Sequence, residues 1–225
     1  MIDTIIDIYH HSNVDFDRVR VAGIVAIIHK ATEGTNFTDA EYRDRRQQAK
    51  DMGFLWGAYH FSSGDDVLDQ VEHFLTIATP DDQDLVALDF ESSTDSPDMT
   101  IDQARQFVSL IRNELGRFPV LYESRLIREG VRSSPDPVLG NCPLWYARYR
   151  SAPIAIPTQV WPTYTLWQFT DGSNGNQPHR VDGIGCCDRN RYQGTTEELR
   201  AAWPFTRPVR LSHVLRKARC SLLVA

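Results

Sequence analysis

The chain has 225 residues, of which 41% are hydrophobic, 10% aromatic and 24% charged, a balance that excludes a disordered or fibrous chain. Its longest apolar stretch, near residues 21–28, is shorter than the roughly 18–20 residues of a membrane-spanning helix, so no integral membrane association is expected. The formal net charge of −6 argues against a nucleic-acid partner, because binding phosphates needs a positive face.

Short apolar, β-branched or aromatic runs alternate with segments of helical periodicity, which predicts βα units around a parallel sheet. Strands are predicted at 3–9, 23–29, 54–61, 84–90, 118–123, 143–149 and 163–170, with a short last one near 184–188. Helices are predicted near 39–52, 65–78, 101–115 and 196–203. The clearest follows a capping box that begins at Thr100, and it stops before Gly116. We therefore expect an α/β fold, a modified TIM-like β/α barrel with eight strands and fewer than eight helices.

One barrel domain is predicted over residues 1–205, followed by a flexible basic tail over residues 206–225. The tail contains no acidic residue and five basic ones, Arg207, Arg210, Arg216, Lys217 and Arg219. The acidic excess of the chain therefore lies entirely in the barrel. We expect the tail to be dispensable for folding.

Four cysteines, Cys142, Cys186, Cys187 and Cys220, are too few and too irregularly spaced for a disulfide framework or a paired zinc motif. We interpret them as reduced thiols, and we expect no metal, no other cofactor and a monomeric protein. The N-terminus leads from Met1 directly into a strand-like segment, without a basic stretch followed by an apolar one. The sequence therefore predicts no classical signal peptide.

Acidic residues follow several predicted strands at their carboxyl ends, where parallel barrels carry their active sites. Asp7 closes the first strand, Asp89 and Glu91 close the strand at 84–90, and Asp188 ends the last one. Asp89 and Glu91 are two positions apart, so their side chains share one face, with Cα atoms about 6.5 Å apart. Crowded carboxylates raise the pKa of the most buried member, which keeps one acid protonated beside an ionised one. Cleavage of a glycosidic bond requires this pairing.

Aromatic residues supply a second part of the pattern, because sugar rings present apolar C–H faces that stack on aromatic rings. Five aromatic residues lie near the carboxyl ends of predicted strands: Tyr59, Tyr122, Trp145, Tyr149 and Trp167. Each of them taken alone fits a hydrophobic core better than a ligand contact. Together with the acids they favour a saccharide ligand, and we take them as candidate substrate-binding residues.

Histidines offer an alternative, a metal-dependent barrel hydrolase. Those near the ends of the first three strands are His10, His11, His29 and His60. With Asp7 and Asp89 they could supply metal ligands. None of them forms a His-x-His strand pair or a helical pair four residues apart, so the spacing gives this alternative little support.

Several segments occur together in one order over residues 3–203. They are Ile6-Asp7-Ile8-Tyr9-His10-His11-Ser12-Asn13, Lys30-Ala31-Thr32-Glu33-Gly34, Gly57-Ala58-Tyr59-His60-Phe61, Leu88-Asp89-Phe90-Glu91, Pro119-Val120-Leu121-Tyr122, Leu144-Trp145-Tyr146-Ala147-Arg148-Tyr149, Trp167-Gln168-Phe169-Thr170 and Asp188-Arg189-Asn190. In these motifs and their order the chain resembles the glycoside hydrolase family 25 lysozymes, the Chalaropsis-type N-acetylmuramidases also found among phage endolysins.

The resemblance implies a modified β/α barrel that hydrolyses the β-1,4 bond between N-acetylmuramic acid and N-acetylglucosamine, with the glycan strand of bacterial peptidoglycan as its partner. By position, Glu91 resembles the general acid, and Asp7, Asp89 and Asp188 resemble the other acids of the site. We expect Glu91 to hold a proton because the other acids surround it. The candidate sugar-contacting residues by resemblance are Tyr59, Tyr122, Tyr149 and Trp167. A catalytically silent barrel that binds wall polysaccharide is a further alternative.

Two departures from the family pattern lie in the first loop. Tyr9 stands where the family usually has serine, and Asn13 stands near where many members have glutamine. Both affect the expected shape of this loop and the substrate preference more than the chemistry. Without a classical signal, we expect release to the cell wall or extracellular space by a holin-type or other non-classical route, with the basic tail assisting attraction to anionic walls.

Overall fold

The computed structural model describes residues 1–94, 96–123, 125–131 and 134–206, so the five basic residues predicted in the tail and Cys220 lie outside the described residues. Its strands are β1 (Ile2–Ile8), β2 (Ala26–Glu33), β3 (Phe37–Thr38), β4 (Leu55–Phe61), β5 (Leu85–Phe90), β6 (Val120–Glu123), β7 (Leu144–Ala147), β8 (Leu166–Asp171), β9 (Arg180–Val181), β10 (Gly185–Cys186) and β11 (Asp188–Tyr192). The sheet order is β1-β11-β8-β7-β6-β5-β4-β2, and pairing of β2 with β1 closes it. The predicted eight-stranded modified barrel is confirmed. The short strand β3 pairs with the end of β2, and β9 and β10 form a separate hairpin.

The helices are α1 (Phe16–Val21), α2 (Tyr42–Asp51), α3 (Val67–Ala78), α4 (Ile101–Leu115), α5 (Arg125–Gly130) and α6 (Thr196–Ala202), with a 3₁₀ turn at Leu139–Asn141. The short helices α1 and α5 were not predicted, because six residues are too few for a periodic apolar signal. Helix α4 has its predicted bounds, its capping box at Thr100 and a left-handed Gly116 with φ of 70°. No helix in the described part of the chain is long and apolar enough to cross a bilayer.

Successive side chains along each strand point alternately into and out of the barrel, which divides the core into an inner and an outer layer. Ile5 and Leu166 point into the barrel, whereas their neighbours Ile6 and Trp167 point outward toward the helices and loops. The inward columns of four strands end in polar residues at the carboxyl-terminal end of the parallel strands, which we call the upper end of the barrel. These residues are Asp7 in β1, Asp89 in β5, Tyr122 in β6 and Gln168 in β8.

The last barrel strand corrects two predictions. The expected strand near 184–188 is replaced by β11, and Asp188 begins this strand rather than ending it. β11 is antiparallel to both β1 and β8, so the barrel is mixed rather than all parallel. After β8 the chain reverses through the β9–β10 hairpin without a crossover helix, and such a connection returns the chain antiparallel. Asp188 therefore still lies at the upper end of the barrel.

The strand predicted at 23–29 is also displaced, since β2 begins at Ala26 and extends to Glu33. Gly23 has a φ of 88° and forms the turn that follows α1, which removes the first predicted residues from the strand. Among the cysteines within the described residues, Cys142 and Cys187 are buried free thiols and Cys186 is an exposed one.

Trp203 fills the lower end of the barrel, and its replacement by alanine is expected to be strongly destabilising. The ring is 4% exposed, packs in the inner core and donates its indole N–H to the Trp56 carbonyl oxygen at 3.2 Å. Loss of this contact should lower the free energy of unfolding by about 3–5 kcal/mol, measurable by urea denaturation. A chain that ends at Phe205 is the comparison and should keep its stability. A large loss in that truncated chain would show that the basic tail is structural.

Candidate active site

Four carboxyl groups come together at the upper end of the barrel. Asp7 and Asp188 are directly paired residues on β1 and β11. Asp89 is the last inward residue of β5, and Glu91 follows one position after the strand ends at Phe90. The charge of Glu91 raises the pKa of both Asp89 and Asp188, which places it within electrostatic reach of the two aspartates. The four predicted acids therefore form one cluster.

Two amide side chains hold the Asp7 carboxylate in a defined orientation. Gln168 donates from Nε2 to both carboxylate oxygens, at 2.9 and 3.1 Å, and Asn190 donates from Nδ2 to Oδ2 at 2.7 Å. Burial raises the pKa of Asp7 to about 6, while the hydrogen bonds from Asn190, Gln168 and Asp188 oppose that rise. Asp7 is therefore a buried carboxylate whose negative charge is partly compensated by neutral donors.

In the Asp7–Asp188 pair, Asp188 has the higher pKa. Burial, followed by the charge of Asp7, raises the pKa of Asp188 to about 9. A hydrogen bond between the two carboxyl groups favours a neutral Asp188 that donates its proton and an Asp7 that accepts it. At neutral pH the pair therefore carries about one negative charge.

Asp89 is the acid with the least compensation. It is 8% exposed, and its buried Oδ1 has no hydrogen-bond partner among the described residues. Burial and the charge of Glu91 raise the pKa of Asp89 well above its ordinary value, and Lys30 opposes this shift. A buried carboxyl oxygen without a partner is costly for folding, so its retention at the barrel end indicates a group available to a ligand.

The raised pKa of Asp188 is expected to make the protein less stable at mildly alkaline pH than at neutral pH. An unfolded aspartate loses its proton near about pH 3.9, whereas the folded protein holds the proton of Asp188 up to about pH 9. Ionisation of Asp188 is thus disfavoured in the folded state, and the free energy of unfolding should fall as the pH rises from about 6.5 to about 9. Below about pH 6.5 the buried His29 and His60, whose pKa values are lowered to about 4, act in the opposite direction. Asp188→Asn should flatten this decline and gain about 1–2 kcal/mol at pH 8, measured by urea unfolding at several pH values.

The control for this prediction is Asp182→Asn. Asp182 forms an exposed ion pair with Arg18, and exposed pairs contribute little to stability. Its replacement should leave the pH dependence of unfolding as in the unmodified protein. An Asp188→Asn protein with an unchanged pH profile would contradict the assigned protonation of the Asp7–Asp188 pair.

Three of the predicted aromatic residues border the acids. Tyr122 and Tyr149 both donate their hydroxyl protons to Oε1 of Gln168, at 2.7 and 2.6 Å. Tyr59 packs against the inner core, and burial followed by the charge of Asp89 raises its pKa well above the ordinary value. The three phenols therefore remain neutral hydrogen-bond donors beside the carboxyl groups.

The two predicted tryptophans occupy other positions. Trp145 is 2% exposed and lies inside the barrel, edge-on to Tyr122, with its indole N–H on Oδ1 of Asn190 at 2.6 Å. Trp167 is also 2% exposed but points outward, and its N–H binds the Arg148 carbonyl oxygen. Both indole N–H groups are thus bonded within the protein, and direct sugar contact by these two rings stays a prediction. Trp145 instead supports Asn190.

Two histidines of the metal alternative, His29 and His60, lie apart from the acid cluster, whereas His10 and His11 follow β1 and the His10 ring is paired with Asp39. His29 stacks on Trp56 on the outer face of the sheet, and burial lowers its pKa to about 4. His60 lies between α3 and α4, bonded to Thr32 and Gln70 and stacked on a phenylalanine of α4. Within the described residues no group of three or more His, Cys, Asp or Glu side chains is arranged to hold a metal ion.

Three residues of the site received no individual role from the sequence: Gln168, Asn190 and Lys30. Gln168 and Asn190 lie on inward columns of buried strands, so a polar residue at an inward position was the signal that could have found them. Lys30 follows Ile28 on the inward side of β2, and its ammonium group lies over the Phe37 and Phe61 rings. It places one positive charge near Asp89.

Solved structures with the same architecture belong to muramidases and lysozymes. The structure of muramidase from Acremonium alcalophilum has a TM-score of 0.73 and 28% identity, and covers 87% of this chain and 96% of that one. The bacterial lysozyme from Streptomyces coelicolor has a TM-score of 0.74 and 27% identity, with 87% and 94% covered.

A curated relative is the autolytic lysozyme of Clostridium acetobutylicum, 28% identical over 174 residues that cover 76% of this chain. The chain spans about half the length of that relative, 51%. The sequence profile of glycosyl hydrolases family 25 matches residues 6–177, which include Asp7, Asp89 and Glu91, whereas Asp188 is added to the cluster by the antiparallel return of β11. With its profile match spanning most of the barrel, the chain belongs to glycosyl hydrolase family 25.

Proposed function

We propose that the protein is a lysozyme that hydrolyses the β-1,4 bond between N-acetylmuramic acid and N-acetylglucosamine in bacterial peptidoglycan. The observation that carries the proposal is the convergence of Asp7, Asp89, Glu91 and Asp188 at one end of a family 25 barrel. Carboxyl groups of unequal pKa supply both a proton donor and a negative charge, the two requirements for breaking a glycosidic bond.

Glu91 is the proposed general acid, which gives its proton to the oxygen of the leaving sugar. It is the more accessible member of the Asp89–Glu91 pair, because Asp89 is buried in β5 and Glu91 follows the strand. Burial favours the proton on Asp89 before substrate binds, so the proposal requires the proton of the Asp89–Glu91 pair to be on Glu91 when the bond breaks.

The ionised Asp89 then acts on the opposite side of the bond, where positive charge develops on the sugar ring. Asp89 acts in one of two ways. It attacks the sugar ring as a nucleophile, or it stabilises the positively charged ring that forms when the 2-acetamido oxygen of the substrate attacks instead.

Asp7 and Asp188 are proposed to set the electrostatics around these two residues. Gln168 links Asp7 to two of the proposed substrate-binding tyrosines. Its nitrogen donates to Asp7, and its oxygen accepts from the hydroxyl groups of Tyr122 and Tyr149. Both phenols have their protons directed at Gln168. Tyr149 is partly exposed and offers its ring to a sugar, whereas Tyr122 is 5% exposed and packs on Trp145, so its proposed contact is through the hydroxyl edge. Tyr59 completes the proposed substrate-binding set.

Two other functions receive less support from the structure. A metal-dependent hydrolase would need several of the four candidate histidines directed at the acids. The rings of His29 and His60 are held on the outer face of the sheet, and that of His10 is bonded to Asp39. A silent binding barrel would have no reason to keep Asp89 buried with an unpartnered oxygen, since that arrangement costs stability without aiding the stacking of a sugar.

Digestion of purified cell walls tests the proposal. The protein should release glycan fragments that end in reducing N-acetylmuramic acid, identified by mass spectrometry after borohydride reduction. The yield should be the same in excess EDTA. Fragments ending in N-acetylglucosamine, cleavage confined to the peptides, or no fragments at all would each contradict the proposed bond.

A further inference from the structure

Four rings form an exposed cluster after the first strand, which we call the aromatic rim: Tyr9, His10, His11 and Phe37. Ring centroids are 5.3 Å apart for Tyr9 and His10, 4.1 Å for His10 and His11, and 5.7 Å for His10 and Phe37. Tyr9 is 41% exposed and Phe37 is 38% exposed. Val21 and Leu68 are also large, exposed hydrophobic side chains, but they are aliphatic and lie on the helices α1 and α3.

The aromatic rim is continuous with the acid cluster. Tyr9 comes directly after β1, two positions beyond Asp7, and Phe37 lies in β3, which pairs with the upper end of β2. The ammonium group of Lys30 lies 5.2 Å from the centre of the Phe37 ring, and the same charge acts on the pKa of Asp89. A bound polymer that extends from Asp89 past Lys30 would therefore contact Phe37 first and Tyr9 next.

The loop that carries the rim is held in place before any ligand binds. Asp39 accepts hydrogen bonds from the backbone N–H of His10 at 2.8 Å and pairs with its ring at 3.1 Å. Arg45 donates to the backbone oxygens of Tyr9 and Ser12, at 2.9 and 2.7 Å. Such pre-organisation lowers the entropy that binding would otherwise cost.

The charges at the rim favour a neutral ligand. Lys30 is in an ion pair with Glu33, and the ring of His10 is hydrogen-bonded to Asp39, so both side chains already have carboxylate partners. An acidic peptide would have to displace these partners. A sugar ring needs only apolar ring faces and a few polar edges, and the tyrosine hydroxyl and imidazole nitrogens supply such edges beside the rings.

We propose that the aromatic rim is a binding site for an N-acetylglucosamine ring, the neutral sugar of the glycan strand, outside the two rings joined by the bond that is cut. The inference rests on the proposed function and extends it to longer substrates. Tyr9 and Phe37 are the exposed large hydrophobic rings of the rim, so they are the residues that the test changes. The rim would make the enzyme prefer long glycan strands to short fragments.

Binding measured without turnover tests the rim. In a Glu91→Gln background, the affinity for peptide-free glycan strands is measured by calorimetry for Tyr9→Ser, Phe37→Ala and the control Leu68→Ala, an exposed residue of α3. We expect the Kd to rise about three- to tenfold for each rim variant, the effect of losing one aromatic contact, and to stay constant for the control. Binding of the disaccharide of N-acetylmuramic acid and N-acetylglucosamine should change less than binding of long strands.

Other outcomes would overturn the inference. Equal affinity of the rim variants and their parent for long strands would exclude the site, as would an effect found only with the free stem peptide. Circular dichroism and thermal melts identify any variant that lost its fold, and Phe37→Leu, which keeps an apolar side chain without a ring, then replaces Phe37→Ala. Failure of the proposed function is seen separately, as the absence of muramic reducing ends from the unmodified enzyme.

Discussion

Glu91→Gln is expected to lower the rate of peptidoglycan hydrolysis by about 10²- to 10⁴-fold, the range associated with loss of a general acid. Glutamine has nearly the same shape but cannot give a proton to the leaving sugar oxygen. The protein should fold normally, because Glu91 lies beyond the end of β5 and is not part of the buried strand. The rate is measured as release of muramic reducing ends from purified walls.

The control for this variant is Glu72→Gln, which removes a carboxylate from an exposed position of α3. It should hydrolyse walls at the rate of the unmodified enzyme. Turnover by a folded Glu91→Gln protein at that same rate would overturn the assignment of Glu91. The proton would then have to come from another member of the acid cluster, and Asp89 and Asp188 both have pKa values above the ordinary range.

Asp89→Asn is expected to produce two effects of opposite direction. Hydrolysis should fall by about 10²- to 10³-fold, because the negative charge that steadies the developing cation is lost. Stability at neutral pH should rise by about 1–2 kcal/mol, because the variant replaces a buried carboxyl group with a neutral amide. Activity assays and urea unfolding at pH 7 measure the two effects, and sedimentation with walls should show that binding persists.

A matched control for Asp89→Asn is Asp136→Asn. Asp136 is equally buried, but it accepts hydrogen bonds from Arg105 and from the backbone N–H groups of Val138 and Leu139. Its replacement should keep the activity and lower the stability by about 1–3 kcal/mol. An Asp89→Asn protein that loses stability in the same way would mean that Asp89 has a structural role.

The difference between these two aspartates shows how the barrel is specialised at its upper end. Asp136 satisfies its charge through protein contacts, whereas Asp89 keeps an oxygen without a partner. Burial of the Asp7–Asp188 pair has a similar cost, which its amide donors reduce only in part. The upper end of the barrel is therefore less stable than a well-packed barrel end, as is common where residues are arranged for catalysis rather than for folding.

Local sequence patterns determined most of the barrel strands, the main helices and the position of three of the four acids. Helix α4 was predicted with its bounds, because a capping box at Thr100 and Gly116 mark its ends within a few residues. Asp7, Asp89 and Glu91 were placed correctly because an acid at the carboxyl end of a buried parallel strand reaches the upper end of a barrel wherever that strand lies. These features depend on short stretches of chain and not on its overall path.

The tertiary structure alone decided which side chains meet. The direction of β11 depends on the absence of a crossover helix after β8, and this places Asp188 beside Asp7 although 180 residues separate them along the chain. The choice between Tyr122, which faces the acids, and Trp167, which faces the helices, follows from strand register, and one residue of error reverses it. The pKa values of about 6 for Asp7 and about 9 for Asp188 arise from burial and from contacts made only when β1 and β11 pair. Burial and long-range pairing are properties of the closed barrel, and no local pattern in the sequence contains them.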